Sequence, residues 1–276
     1  MNACRGFADV EMVLYNDTST AHRSLDEVLA CDADLQRAIF VLHWGPDVTR
    51  LARQLCQKGA QVVYFAHSTG WQVKLLHHVP IVCVSRHTQA YWGRLAPHNP
   101  IYHAPNIIDA CFYPSDAHRD VDVLIQRRKS SSYLLEDLAP ALCKDCNVEI
   151  LDDWVVSLAD VFRRSKVFLY DSREYWLDRG VSEGFGLPPL EAMACGCRVF
   201  SSVNDALADH IDPGFNGEQI GVISCEYDTA QILQTVSSYE VGSQGTMDWT
   251  RYREPDVSRR LQKIFQGVET VYDFVR

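Results

Sequence analysis

A doubly wound α/β architecture built on parallel sheets is what the sequence predicts, from three observations. Short apolar runs rich in β-branched residues recur along the 276-residue chain. Helical patterns lie between them. The runs are uniformly apolar rather than alternating, as expected of strands covered on both faces by helices. The result is a βαβ rhythm.

In chain order, the predicted strands are Ile39–Leu42, Val62–Phe65, Ile81–Val84, Val121–Ile125, Val148–Leu151, Val167–Tyr170, Arg198–Ser201 and Gly221–Ser224. Helices are predicted over Asp47–Lys58, Tyr133–Leu142, Ser157–Ser165 and Pro188–Cys195. Ser157-Leu-Ala-Asp160 reads as a capping box. Near the end, Leu261, Ile264, Phe265, Val268, Val271, Tyr272 and Val275 fall at helical spacing, which makes a closing amphipathic helix whose stripe packs on the core. Pro105, Pro114, Asp116 and His118 interrupt the rhythm and put a seam between Pro105 and Ala117. The predicted division is 1–112, 113–254 and a closing helix at 255–276. Before Ile39 no opening strand or glycine-rich turn is visible. Either the first domain is reduced or the natural start lies upstream of Met1.

With 47% hydrophobic and 22% charged residues, the chain can bury a real core. A net charge of -10 and a pI near 5.4 argue against nucleic acid as the main partner, because phosphate backbones are held by clustered Lys and Arg. The same balance disfavours broad membrane-surface binding and leaves room only for a local basic patch. Met1–Val10 has no apolar stretch ahead of a small-residue cleavage site. No run reaches the roughly 18 apolar residues of a membrane helix. A cytoplasmic protein is expected. The ten cysteines are scattered, most of them in apolar runs such as Ile81-Val-Cys-Val84, which fits free thiols in a reducing compartment. Cys143-x-x-Cys146 and Cys195-Gly-Cys197 lack the second ligand pair of a structural zinc site.

The most informative stretch is Glu183-Gly-Phe-Gly-Leu-Pro-Pro-Leu-Glu191-Ala-Met-Ala-Cys-Gly-Cys197. Pro188 suits a first helical turn, where a missing N–H costs nothing, and Gly196 suits a helix C-cap. Gly184 and Gly186 would present backbone N–H groups just ahead of the helix, an anion-friendly corner at the carboxyl end of a strand. Two carboxylates beside such a corner make sense as acceptors for ribose and sugar hydroxyls. The bland alternative is a solvated Glu183, with Glu191 offsetting the helix dipole.

This segment resembles the E-x7-E signature of retaining GT-B glycosyltransferases, the large glycogen-synthase-like family 4 group (glycosyl transferases group 1). Ser157–Ser172 resembles the helix and strand leading into that signature, and Val121–Leu142 the opening of the donor domain. Val62–His67 and Ala104–Asp109 resemble an acceptor-domain strand and a hinge, so the likeness runs over roughly residues 39–220. It implies a GT-B fold of two Rossmann-like domains facing a cleft, the first one reduced. It also implies transfer of a hexose from a nucleotide-diphosphate sugar, with retention and without a metal or other cofactor.

Residue by residue, the likeness gives Glu183 the hexose hydroxyls and Glu191 the ribose. Gly184, Phe185, Gly186 and Leu187 would line the donor site. The family's basic pair for the diphosphate falls among Arg127, Arg128 and Lys129. Their spacing departs from the usual pattern, and Arg128 and Lys129 are preferred as the catalytic cations, with Arg127 as a donor contact. His67 falls where the family places a histidine near the reacting sugar. His43 is a weaker cleft candidate, and His77-His78 reads as loop surface. Asp32-x-Asp34 and Asp120-x-Asp122 have the D-x-D spacing of metal-dependent transferases. That spacing is common by chance, and the second leads straight into a core strand. Tyr175, Trp176 and Arg179 either reach over the cleft or form a surface insertion.

The acceptor is open: a sugar, a lipid-linked molecule or a small molecule. The main alternative is a non-catalytic sugar-nucleotide-binding subunit that needs a partner chain to complete its acceptor side. Peripheral membrane contact is compatible with either reading. A phosphorylase or sugar-nucleotide epimerase ranks lower, since no lysine sits in a pyridoxal-phosphate context.

Overall fold

The computed structural model describes residues 2–15, 21–43, 45–240 and 247–275. The side chains of Asp32 and Asp34, hence the first D-x-D, lie outside the described residues. The chain forms two compact units, residues 1–105 together with 254–276, and residues 106–253.

The first unit opens with β1 (Val13–Leu14) and β2 (Arg23–Ser24), a short parallel pair. Two helices follow, α1 (Leu25–Leu29) and α2 (Asp32–Arg37). Ser24 and Glu27 close a full capping box on α1. The main sheet is β3 (Ile39–Leu42), β4 (Gln61–Ala66), β5 (Ile81–Cys83) and β6 (Ile101–His103). All four run parallel and lie in sequential order. The connections carry α3 (Val48–Gln57) and α4 (Arg86–Leu95). The core gathers Leu51, Leu55, Val62 and Val79 in one cluster, and Tyr64, Ile81 and Trp92 in another.

The second unit holds β7 (Val121–Gln126), β8 (Val148–Leu151), β9 (Ser165–Tyr170), β10 (Arg198–Ser201) and β11 (Glu218–Gln219). They are parallel, in the order β11-β10-β9-β7-β8. After β7 a π-helical turn, Tyr133–Leu138, runs into α5 (Ala139–Leu142). Then come α6 (Leu158–Arg164), α7 (Arg173–Leu177), α8 (Leu187–Ala194) and α9 (Cys225–Ser237). Val123, Ile125, Leu134, Leu138, Val167, Leu169 and Ile232 form the core on one face of this sheet. The last helix, α10 (Glu254–Val275), returns to the first unit.

Seven of the eight predicted strands are present. The eighth is a correction: residues 221–224 form no strand, and the edge strand is Glu218–Gln219. Val222 and Ile223 are exposed, so their apolar character reflects no buried face. β1, β2, α1, α2, β6, α4, α7 and α9 come without a sequence prediction. Ser157 accepts from the Asp160 N–H at 3.2 Å, but Asp160 turns to Arg163, so only half of the expected capping box forms. All ten cysteines are free thiols, and three are fully buried, Cys83, Cys195 and Cys197.

Candidate functional site

Read from its other edge, the second sheet has the order 2-1-3-4-5, which reverses direction between β7 and β9. Open α/β sheets bind ligands at the carboxyl ends of the strands flanking such a reversal, because the connecting loops diverge there and leave a crevice. Lys129 and Glu183 meet at this point.

β7 ends at Gln126, and the turn behind it is Arg127-Arg128-Lys129, with Lys129 at φ 71°. The Ser130 hydroxyl ties the turn down by donating to the Gln126 carbonyl at 2.6 Å. Lys129 Nζ lies 3.8 Å from Glu183 Oε2. Glu183 is only 5% exposed, and the same oxygen accepts from the Tyr170 hydroxyl at 2.6 Å and from Trp176 Nε1 at 2.9 Å. A buried carboxylate persists only when donors and a counter-charge surround it; this one has two donors and an ammonium. Its backbone N–H donates to Asp205 Oδ2 at 3.1 Å, which fixes the loop. Burial pushes the Lys129 ammonium below its usual value, and Glu183 works against that shift. The Tyr170 hydroxyl is held well above the phenol range, first by burial and then by Glu183. The indole of Trp176 lies under Lys129, with Nζ 4.4 Å from the ring centroid.

The other basic residues diverge. Arg127 pairs with Asp152 beyond β8 and so turns away from Lys129 and Glu183. Arg128 is exposed and makes no ion pair among the described residues, while its charge adds to the forces that lower Lys129.

The α8 segment forms where the sequence puts it. Gly186 caps the helix at φ 83°, and a Cβ there would stand 2.5 Å from Leu207 Cδ2. Pro188 and Pro189 remove two of the first-turn N–H groups. Gly184, Phe185 and Gly186 are buried and Leu187 is half-buried. Phe185 points inward, its ring 4.8 Å from His210 and 6.0 Å from Tyr252. It anchors the loop.

Glu191 has a different environment from Glu183. It is half-buried, and its carboxyl makes no hydrogen bond among the described residues. It is pushed up to about 7, by burial first and then by the charge of Asp109. The two carboxylates share no hydrogen-bond partner.

In the first unit His67 follows β4 and His43 follows β3, so the two imidazoles end neighbouring parallel strands. His43 Nδ1 and His67 Nε2 are 3.0 Å apart, and both rings stack near Phe65. Surrounding protein, and secondarily His43, holds His67 below the ordinary imidazole value. Both side chains keep solvent contact, which softens that shift.

Several contributors escape the sequence. Tyr170 is only the last residue of a predicted strand, and Asp205 lies in an unremarked loop. The sequence leaves Tyr175 and Trp176 open between cleft and surface; Trp176 folds onto Glu183. Of the metal candidates, Asp120 pairs with Arg164, and Asp122 with Lys166. Among the described residues no group of three or more His, Cys, Asp or Glu is placed to hold a metal. No described helix is long and apolar enough to cross a membrane.

Three solved structures show the same fold. The chain aligns with the GtfA/B complex at TM-score 0.61 and 14% identity, covering 91% of this chain but only 61% of that one. It aligns with Anabaena Alr3699/HepE in complex with UDP at 0.65 and 11%, covering 88% and 81%. With a glycosyltransferase from Rickettsia africae ESF-5 the values are 0.64 and 10%, covering 92% and 84%. The fold is therefore of the GT-B type, with Rossmann-like parallel-sheet units. Residues 133–236 match the model of the family described as glycosyl transferases group 1, a stretch that contains Tyr170, Trp176, Glu183 and Glu191. No curated protein sequence matches it.

Proposed function

We propose that the chain is a glycosyltransferase that moves a hexose from a nucleotide-diphosphate sugar to an acceptor, with retention and without a metal. The observation that carries the reading is the Lys129–Glu183 pair at the β7/β9 reversal. Its support is the match of residues 133–236 to the group 1 family, together with a fold shared with the UDP complex of Alr3699/HepE.

In this mechanism the bond between the anomeric carbon and the phosphate oxygen breaks, and its electron pair stays on the diphosphate. Positive charge builds on the sugar ring and negative charge on the leaving group. Preorganised cations aimed at that growing charge supply the largest catalytic contribution. Lys129 has the right position, desolvated and already fixed, and Arg128 has an uncommitted charge beside it. Glu183 accepts from hexose hydroxyls and favours the cationic ring. Glu191 takes the ribose hydroxyls. An incoming acceptor hydroxyl forms the new C–O bond and passes its proton to the departing phosphate oxygen. In the first unit His67, neutral at pH 7, is the proposed catalytic group.

Calorimetry with UDP and GDP, combined with donor turnover, tests the assignment. Glu183→Ala is expected to lower turnover by about 100-fold or more, the scale of losing one transition-state partner, while nucleotide affinity changes little. Lys129→Ala is expected to weaken both. Full turnover in Glu183→Ala would remove the basis of the reading. Nucleotide binding without any sugar release by the wild-type chain would instead favour the partner-dependent subunit.

A further inference from the structure

The short helix α7 places two side chains against the loops that carry the proposed donor site. Glu174 covers the start of the helix after β7. Its Oε2 accepts from the Ser132 N–H at 2.7 Å, and its two oxygens lie 3.1 and 3.0 Å from the Ser132 hydroxyl. Trp176, two residues on, donates to Glu183 and lies under Lys129. So α7 presents a carboxylate to a helix start, where backbone N–H groups favour phosphate oxygens. It also presents an N–H donor to the carboxylate assigned to sugar hydroxyls. Chemically, the pair imitates the two ends of a sugar diphosphate.

The helix itself is weakly fastened. It has five residues, none of them buried, and Ser172 gives it no side-chain cap. Leu177 is 72% exposed. A helix this short has almost no stability of its own, and elements with few buried contacts open at low cost. The polar contacts of Glu174 and Trp176 are therefore a large part of what holds it in place.

We infer that α7 is a built-in competitor of the donor. It occupies Ser132, Glu183 and Lys129 in the nucleotide-free chain and leaves them when the sugar nucleotide binds. The inference rests on the glycosyltransferase reading and adds regulation of the same site. A bound donor must displace both contacts, so affinity is lowered by the fraction of chains in which α7 is seated.

Titration calorimetry with UDP and GDP on the full chain tests this with Glu174→Gln, Trp176→Phe and the double variant. Trp176→Phe removes the N–H and keeps an aromatic face; Glu174→Gln removes the charge and keeps the length. Neither side chain is buried, so both variants should fold, which melting curves verify. Each single variant is expected to bind nucleotide about fivefold more tightly, the net scale of one ordinary hydrogen bond, and the double variant more tightly still. Binding by the double variant alone would support the competitor as well. Equal or weaker binding in the variants overturns it while leaving the glycosyltransferase reading intact; weaker binding by Trp176→Phe would make the indole a donor contact. Absence of nucleotide binding in every form overturns both.

Discussion

Glu191 is the residue whose protonation departs furthest from habit at neutral pH. Its carboxyl is pushed up to about 7 by burial and by Asp109, against an ordinary value of about 4.3 in an unfolded chain. Between those values the folded protein holds a proton that the unfolded chain has released, so stability falls as pH rises through the window. Urea unfolding at pH 5 and pH 8 should show the wild type losing more stability over that interval than Glu191→Gln, which has no proton to lose. Parallel losses in both proteins would place the titrating group elsewhere. At this scale the sequence is a partial guide. It names Glu183 and Glu191, whose segment has a recognisable turn and cap, and it reaches Lys129, as one of three basic residues, through the family resemblance. It cannot show that Glu183 is gripped by Tyr170 and Trp176 while Glu191 stands apart. Those contacts depend on how α7 folds back, which no periodicity encodes. Nor does a basic triplet reveal which member turns outward; Asp152, 25 residues on from Arg127, decides that.

The helix α8 shows how an element is ended and why its last residue is fixed. The Gly196 N–H donates to the Met193 carbonyl and the Cys197 N–H to the Ala192 carbonyl, both at 2.9 Å, the paired closure that needs a left-handed residue after the cap. Gly196 has φ 92°. A Cβ there would also lie 2.7 Å from Arg119 Nη2. Arg119 is buried and binds the carbonyls of Phe162 and Ser165 at the end of α6 and of Cys195 at the end of α8. It places a cation where two helices present their negative ends. Gly196→Ala combines backbone strain with displacement of that arginine, and a loss of about 2–4 kcal/mol is expected. Urea unfolding measures it, and a loss below 1 kcal/mol would mean that the cap relaxes freely. Elements with strong punctuation, such as α8 between Pro188 and Gly196, are the legible ones, as are strands buried on both faces. β6 has three residues, all half-buried, too short for a pattern. α4 mixes Arg, His, Gln and Tyr on a weak apolar stripe. Val222 and Ile223 imitate a strand because composition alone cannot tell an exposed apolar loop from a buried run.

At the scale of the whole chain, the first unit is completed by residues 254–276, which follow the second unit in sequence. α10 buries Val257, Leu261, Ile264, Val268 and Tyr272, and the Tyr272 hydroxyl does a specific job. β5 begins opposite Tyr64, so the Val62 N–H and C=O on the same side of β4 lie beyond the reach of that strand. The Tyr272 hydroxyl fills the gap, accepting from the Val62 N–H at 2.8 Å and donating to its carbonyl at 2.5 Å. Contacts across 210 residues form late, because loop closure comes before any gain from packing. The second unit, residues 106–253, is continuous and has no such delay. Tyr272→Phe keeps the ring and leaves two buried backbone groups without their partner, which should cost about 2–4 kcal/mol. Hydrogen exchange locates the loss. The Val62 amide should lose protection strongly, while Val123, Leu124 and Ile125 in β7 keep theirs, because their hydrogen bonds lie wholly within the second unit. Equal loss of protection in β4 and β7 would show that the chain opens as one cooperative body, and that α10 secures more than the unit it packs on.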